Sequence, residues 1–256
     1  MTEAAWRRTW ICLVLAMSAG LVLSTSSSAM PAVTLKVTPV SIPGFPGTGD
    51  ILGAGTDVEV NVAISGSEYG GFPSPLIGMA FYAPAGVKVT PEGFADCAPA
   101  ALEANGAAGC PKNSSAGPTG EGLGVVSFGG DRVNEKVTIQ DFFAPNGGLT
   151  FYVEGSTPAY FQVLEKAQWT RASAPYGPEL IVEVPLVETV PGADDASILS
   201  FKVKVGDAYR KGRKTVSYLT LPRGCPKAGA PLKAEFRFMS GESVTVAYKQ
   251  PCPRRK

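Results

Sequence analysis

The side chains with the chemistry for a reaction are carboxylates, because the chain contains no histidine. Without histidine, Ser–His and Cys–His nucleophile pairs and histidine-ligated metal sites are excluded. Glu179 and Glu183 would share the polar face of one strand, with Glu188 close behind, and paired carboxylates can hydrolyse glycosides. A solvated strand face is the simpler interpretation, and the sequence has no other catalytic motif. We therefore predict a protein that is not an enzyme and has no cofactor.

Metal binding has one candidate, the adjacent carboxylates Asp194 and Asp195 after the turn Pro191-Gly192. Carboxylates in a loop are potential ligands for Ca²⁺. No further oxygen ligands follow at regular spacing, so an exposed turn is the favoured interpretation and no metal site is predicted. The cysteines are not spaced as Cys-x-x-Cys, which disfavours a zinc site or a redox dithiol.

Four cysteines form two pairs along the chain. Cys97 and Cys110 are 13 positions apart, and Cys225 and Cys252 are 27 apart. An even number of cysteines after an export signal indicates disulfides in an oxidising compartment. Of the three possible connectivities, we expect the local one, Cys97–Cys110 with Cys225–Cys252, each bridge stabilising the fold by about 3 kcal/mol.

The N-terminal 29 residues have the layout of an export signal. The basic pair Arg7-Arg8 precedes an uncharged run from Trp10 to Leu23, and small residues follow up to Ala29. This layout predicts cleavage after Ala29 and an extracellular or cell-surface protein with no membrane span after cleavage. The alternative is a signal that is kept as an N-terminal anchor.

A basic cluster is the first candidate for ligand binding. Arg210, Lys211, Arg213 and Lys214 flank Gly212, which predicts the tip of a hairpin. Such a tip could contact an anionic cell-wall polysaccharide or another surface protein. The simpler interpretation is a charged turn that keeps the end of a sheet soluble, and we predict no nucleic-acid partner.

Aromatic residues are the second candidate. Trp169 is the one tryptophan after the export signal, and Phe72 lies in the turn-rich segment Gly70-Gly71-Phe72-Pro73. Together with Tyr69, Tyr160 and Tyr176 they could form a platform for sugar rings. A lone tryptophan in a β protein more often fills the core, which leaves Phe72 as the better candidate for an exposed aromatic.

The elements that must position these residues are strands. In residues 57–65, Val58, Val60, Val62 and Ile64 alternate with polar residues, and several later segments repeat this period of two. Pro99 to Ala104 alone has a helical pattern, and it lies between Cys97 and Cys110. Many short strands with turn signals favour an all-β, antiparallel sandwich architecture.

Charge suggests where the chain divides. Residues 30–146 hold five basic and eleven acidic residues, whereas residues 147–256 hold sixteen basic and ten acidic ones. The change coincides with the turn-rich segment at residues 144–148. We therefore predict an export signal at 1–29, an acidic sandwich unit at 30–146 and a basic one at 147–256. One large sandwich is the alternative.

The segments around the cysteines resemble an uncharacterised family of secreted proteins of high-GC soil bacteria. The resemblance rests on Cys-Pro-x-x-Ser-x-x-Gly at residues 110–117 and on Leu-Pro-x-x-Cys-Pro at residues 221–226, closed by Cys252-Pro253. Thr90 departs from the family pattern, where asparagine is usual. The resemblance implies two Ig-like β-sandwich units with disulfide-clipped loops, and no chemistry. We expect a structural or interaction protein, with carbohydrate or cell-wall-polymer binding as the alternative.

Overall fold

The computed structural model describes residues 30–254, so the predicted export signal and its cleavage site lie outside the described residues. The fold is almost entirely antiparallel β-structure, which confirms the predicted all-β class. Within residues 30–254, no helix is long and apolar enough to cross a membrane. The strands are β1 Ala32–Val40, β2 Gly55–Ser65, β3 Leu76–Pro84, β4 Lys88–Val89, β5 Gly120–Phe128, β6 Asp131–Phe143, β7 Leu149–Gly155, β8 Phe161–Arg171, β9 Tyr176–Glu183, β10 Ser197–Val205, β11 Ala208–Lys211, β12 Lys214–Ser217, β13 Leu219–Thr220, β14 Ala230–Phe238 and β15 Ser243–Gln250.

Thirteen of these strands form one sheet, and β11 and β12 form a separate hairpin. The long strands lie side by side in the order β15-β14-β3-β9-β8-β7-β6-β5-β10-β2-β1. The sheet curls until β15 lies beside β1. There the backbone N–H of Val37 donates a hydrogen bond to Tyr248 Oη at 3.0 Å. Opposite walls of this rolled sheet therefore face one another across a common interior.

Strand register places the alternating apolar residues on the inside. Val60 of β2 pairs with Val37 on one side and with Val203 on the other, so all three side chains lie on the same face. The same alternation continues across every long strand, and its inner residues form one hydrophobic cluster. The predicted strand at residues 57–65 is thus confirmed, including the face that it buries.

The two predicted units share this sheet, and the structure corrects the division. Strand β10 lies between β2 and β5, and β3 lies between β9 and β14, so strands from both sides of residue 146 alternate. Residue 146 itself lies in the turn between the neighbouring strands β6 and β7. An Ig-like unit is made of two sheets built from its own strands. A boundary at residue 146 delimits no such unit here, because pairing between distant strands overrides the charge difference.

The one α-helix of residues 30–254, α1 Pro99–Asn105, covers the outside of β6, β7 and β8. Leu102 is fully buried there against Phe142 and Tyr152, with Leu164 at the edge of the same cluster. The outward residues beneath α1 are therefore apolar as well, and β7 is buried along nearly its whole length. The bond Cys97–Cys110 closes the segment that carries α1, as predicted.

The second predicted disulfide, Cys225–Cys252, ties the segment before β14 to the segment after β15. Both bridges lie at the end of the rolled sheet where β6 and β15 end and β9 begins. We call this end the disulfide end. The opposite end, the apolar end, consists of residues 66–75, 129–130, 156–160, 184–196 and 239–242. The confirmed bridges are typical of a protein of an oxidising compartment.

Candidate functional site

The interior of the rolled sheet is not filled. A cavity of about 250 Å³ runs through it, lined almost entirely by apolar side chains from every wall. An engineered apolar cavity of about 150 Å³ in another protein already holds a benzene molecule. The space inside this sheet is therefore large enough for the apolar part of a small molecule.

Several side chains on the inner face of the sheet are incompletely buried, which is a second sign of the cavity. Val60, Phe81 and Val163 point inward but remain partly accessible, although inner residues of a closely packed core are fully buried. Glycine enlarges the interior at one wall, since Gly124 pairs with Ile198 on the inner face of β5. A Cβ atom at Gly124 would lie 3.1 Å from the carbonyl oxygen of Ser197, so glycine also allows the close approach of this backbone.

One end of the sheet carries the exposed apolar side chains. In the described part of the chain, every large apolar residue that is exposed lies at or next to the apolar end. Leu186 lies between Pro185 and Val187, which both line the cavity. An exposed apolar side chain of this end is thus adjacent in sequence to two residues that line the cavity. These exposed residues are Met30, Ile77, Phe128, Tyr160, Leu186, Val190 and Met239.

Two glutamates point into the apolar interior, and their surroundings differ. Glu135 is fully buried, and its carboxylate accepts hydrogen bonds from the backbone N–H groups of Ser156, Thr157 and Ala159 at 3.1, 2.9 and 3.0 Å. It therefore holds the β7–β8 loop. Glu165, on the inner face of β8, has no such partner among residues 30–254. Desolvation raises the pKa of its carboxyl from 4.5 to about 7.

Trp169 lies inside, as the core interpretation predicted. It lines the cavity near the disulfide end, where its Nε1 donates a hydrogen bond to Tyr218 Oη at 2.7 Å. Tyr218 is fully buried and in turn donates to the carbonyl oxygen of Gly147 at 3.1 Å. The indole is therefore fixed as part of the cavity wall and forms no outer platform for sugar rings.

Phe72 is only partly exposed, which corrects the expectation of a freely exposed aromatic. The Arg132 guanidinium lies 5.4 Å from the centre of its ring and 5.0 Å from that of Tyr69. Arg132 also forms an ion pair with the carboxylate of Asp194 at 3.3 Å. Tyr69 Oη donates a hydrogen bond to Oδ1 of the same carboxylate at 3.4 Å. These contacts join loops of the apolar end, and no group of three metal-ligating side chains occurs in the described residues.

The basic cluster occupies the predicted hairpin tip. Strands β11 and β12 pair from Ala208 to Ser217, with Gly212 in the turn at a φ of 64°. All four cations are exposed, and none forms an ion pair with a described residue. Arg210 lies over the ring of Phe45 at 5.9 Å. The hairpin thus presents four positive charges apart from the main sheet: Arg210, Lys211, Arg213 and Lys214.

The carboxylates considered for glycoside hydrolysis do not face the cavity. Glu179 lies on the outer face of β9, where Thr170 Oγ1 donates to it at 3.1 Å. Glu183 shares that face, as predicted, and Glu188 accepts a hydrogen bond from the backbone N–H of Gly192 at 3.0 Å. Three different carboxyl groups have unusual surroundings. Glu165 lines the cavity, and Asp57 and Asp141 are buried as a pair near the disulfide end.

Sequence reasoning missed Glu165, although a signal was present. Strand β8 runs from Phe161 to Arg171 and places Phe161, Val163, Glu165, Ala167 and Trp169 on one face. A charged residue within an otherwise apolar face would have been a candidate site.

Comparison of the chain with family models, curated proteins and solved structures finds no match. The resemblance to secreted proteins of high-GC soil bacteria therefore stays a prediction.

Proposed function

We propose that the protein is an exported, non-enzymatic binding protein whose interior cavity accommodates the apolar part of a small molecule. The observation that carries the proposal is the apolar cavity of about 250 Å³ enclosed by all the long strands. Ligand pockets in proteins are mostly apolar and concave and have few polar groups. The exposed apolar residues at one end provide a surface along which such a ligand could enter.

The energetics of the interior support a ligand. Cavities left by core substitutions cost about 24 cal/mol per Å³. Applied to about 250 Å³, this gives about 6 kcal/mol, comparable with the total stability of about 5–15 kcal/mol of many domains. A sequence that only had to fold would gain stability from larger inner side chains. Small inner residues such as Val163 instead keep the space open.

Titration with a fluorescent apolar probe tests the proposal. The exported chain, with both disulfides formed, is expected to bind Nile red saturably at one molecule per chain. Decanol and dodecanol should displace the probe, because the cavity selects apolar volume. Native mass spectrometry should show the same stoichiometry. Absence of saturable binding, or binding of many probes per chain, would contradict a ligand-binding interior.

The basic hairpin supports a second candidate function, binding of an anionic cell-wall polymer. Its four cations are exposed and stand on a hairpin outside the main sheet. Repeated phosphate or carboxylate groups of a wall polymer would complement this charge. This function could coexist with ligand binding, since none of the four cations lines the cavity.

We expect Lys211→Ala, Arg213→Ala and Lys214→Ala together to weaken sedimentation with purified anionic cell wall by about tenfold or more. Binding of the original protein should also weaken at high salt, because salt screens exposed charges. The matched control replaces the exposed Lys112, Lys227 and Lys249, with the same change of net charge. Equal losses in both triple variants would show that net charge, rather than the hairpin, is responsible.

A further inference from the structure

One ionisable side chain of the cavity wall has no partner among the described residues. Glu165 stands between Val163 and Ala167 on β8 and pairs across the sheet with Phe151 of β7. In residues 30–254 no cation forms an ion pair with it and no donor forms a hydrogen bond to it. Its side chain is partly accessible and lines the cavity.

The other charged groups of the wall are already engaged. Glu135 is held by three backbone N–H groups. Lys233 forms an ion pair with Glu235 at 2.7 Å and lies 3.7 Å from the centre of the Tyr82 ring. These side chains serve the fold. Glu165 alone presents an unused carboxyl group to the space that a ligand would fill.

A carboxyl group in an apolar site is costly unless a partner satisfies it. Among common polar groups, a protonated amine complements it best, because an ion pair is stronger where water is excluded. A ligand with a carboxylate would place two acids side by side, which disfavours ionisation of both. An uncharged alcohol would gain a hydrogen bond but no attraction between charges.

We infer that the cavity binds amphipathic amines, with the apolar body in the interior and the protonated amine paired with the carboxylate of Glu165. This inference rests on the proposed function and specifies the class of ligand. In this arrangement Glu165 selects the polar group of the ligand. The apolar walls supply most of the affinity and accept many shapes of the apolar body.

A series with one alkyl chain and three polar groups tests the inference. Dodecylamine, dodecanol and dodecanoate compete with Nile red below their micelle concentrations at pH 7.5. The original protein is expected to bind dodecylamine at least about tenfold more tightly than dodecanol, with dodecanoate weakest. Glu165→Gln should remove the preference for the amine and leave the affinity for dodecanol within about threefold. Glu179→Gln, on the outer face of β9, is the matched control and should keep the preference.

The outcomes separate the inference from the proposed function. If the three ligands compete equally, or dodecanoate is preferred, the proposed ligand class is wrong, but the proposed binding of apolar ligands in the cavity is unaffected. If Glu165→Gln keeps the preference for the amine, the assignment to Glu165 is overturned. If none of the three displaces the probe, both proposals fail. The ranking of ligands by the original protein needs no variant, so it decides the ligand class even if Glu165→Gln does not fold.

Discussion

Replacing Val163 by Trp is expected to abolish binding of apolar ligands and to leave the protein folded. Val163 lies on the inner face of β8, pairs with Val153 of β7 and contributes to the cavity wall. It is only partly buried, so an indole can extend into the existing space without displacing packed neighbours. We expect the affinity for Nile red and dodecanol to fall at least about a hundredfold. Probe titration measures the loss.

The thermal stability of Val163→Trp distinguishes blocking from unfolding. Filling an apolar space returns part of the cost of the cavity, so the midpoint of unfolding should stay the same or rise. The matched control is Gln162→Trp, which places the same indole on the exposed outer face of β8. It should bind both ligands normally. Normal binding by Val163→Trp would place the ligand outside the cavity, on the apolar end.

Local features of the fold could be predicted because the residues themselves determine them. The period of two in β2 identified the strand and its buried face, and the spacing of the cysteines identified the two bridges. The helical pattern from Pro99 to Ala104 identified α1 to within one residue. The turn at Gly212 identified the basic hairpin. Each of these inferences concerns residues that are close together in sequence.

The order of the strands could not be predicted in the same way. Strands β3, β9 and β14 share the same alternation, so nothing in their pattern indicates that they are neighbours. The placement of β10 between β2 and β5 likewise depends on pairing between residues far apart in sequence. The acidic and basic halves therefore suggested two units, although their strands form one sheet.

The cavity follows from that strand order, which is why the sequence did not reveal it. An apolar inner face such as that of Val58, Val60 and Val62 is equally compatible with a filled core. Whether space remains depends on how many strands surround the interior and how far apart opposite walls stand. Only then does Glu165 become an unpaired carboxyl group in a binding site rather than one more strand residue.

The buried acids Asp57 and Asp141 predict an unusual dependence of stability on pH. Asp57 and Asp141 are 2% and 1% exposed, and Asp57 Oδ1 and both carboxylate oxygens of Asp141 have no hydrogen-bond partner among the described residues. Desolvation, then the charge of Asp207, raises the pKa of Asp57 to about 7, against an opposing effect of Lys204. Desolvation, with a contribution from Asp57, raises the pKa of Asp141 to about 8.

These shifts mean that the folded protein holds protons that the unfolded chain releases at about pH 4. The stability that the pair contributes is therefore complete below about pH 4. It declines as the pH rises toward 8, and it changes little above that value. We expect the free energy of unfolding, from urea denaturation, to fall by several kcal/mol between pH 5 and pH 8.5, because each unit of pKa shift corresponds to about 1.4 kcal/mol. Asp141→Asn should flatten the profile, since an amide does not titrate, and the exposed Asp131→Asn should not. Glu165 and Asp57 titrate in the same direction in both variants, so the difference between the variants isolates the contribution of Asp141. A profile that Asp141→Asn leaves as steep as before would mean that Asp141 is ionised in the folded protein, and that an unseen partner satisfies its carboxylate.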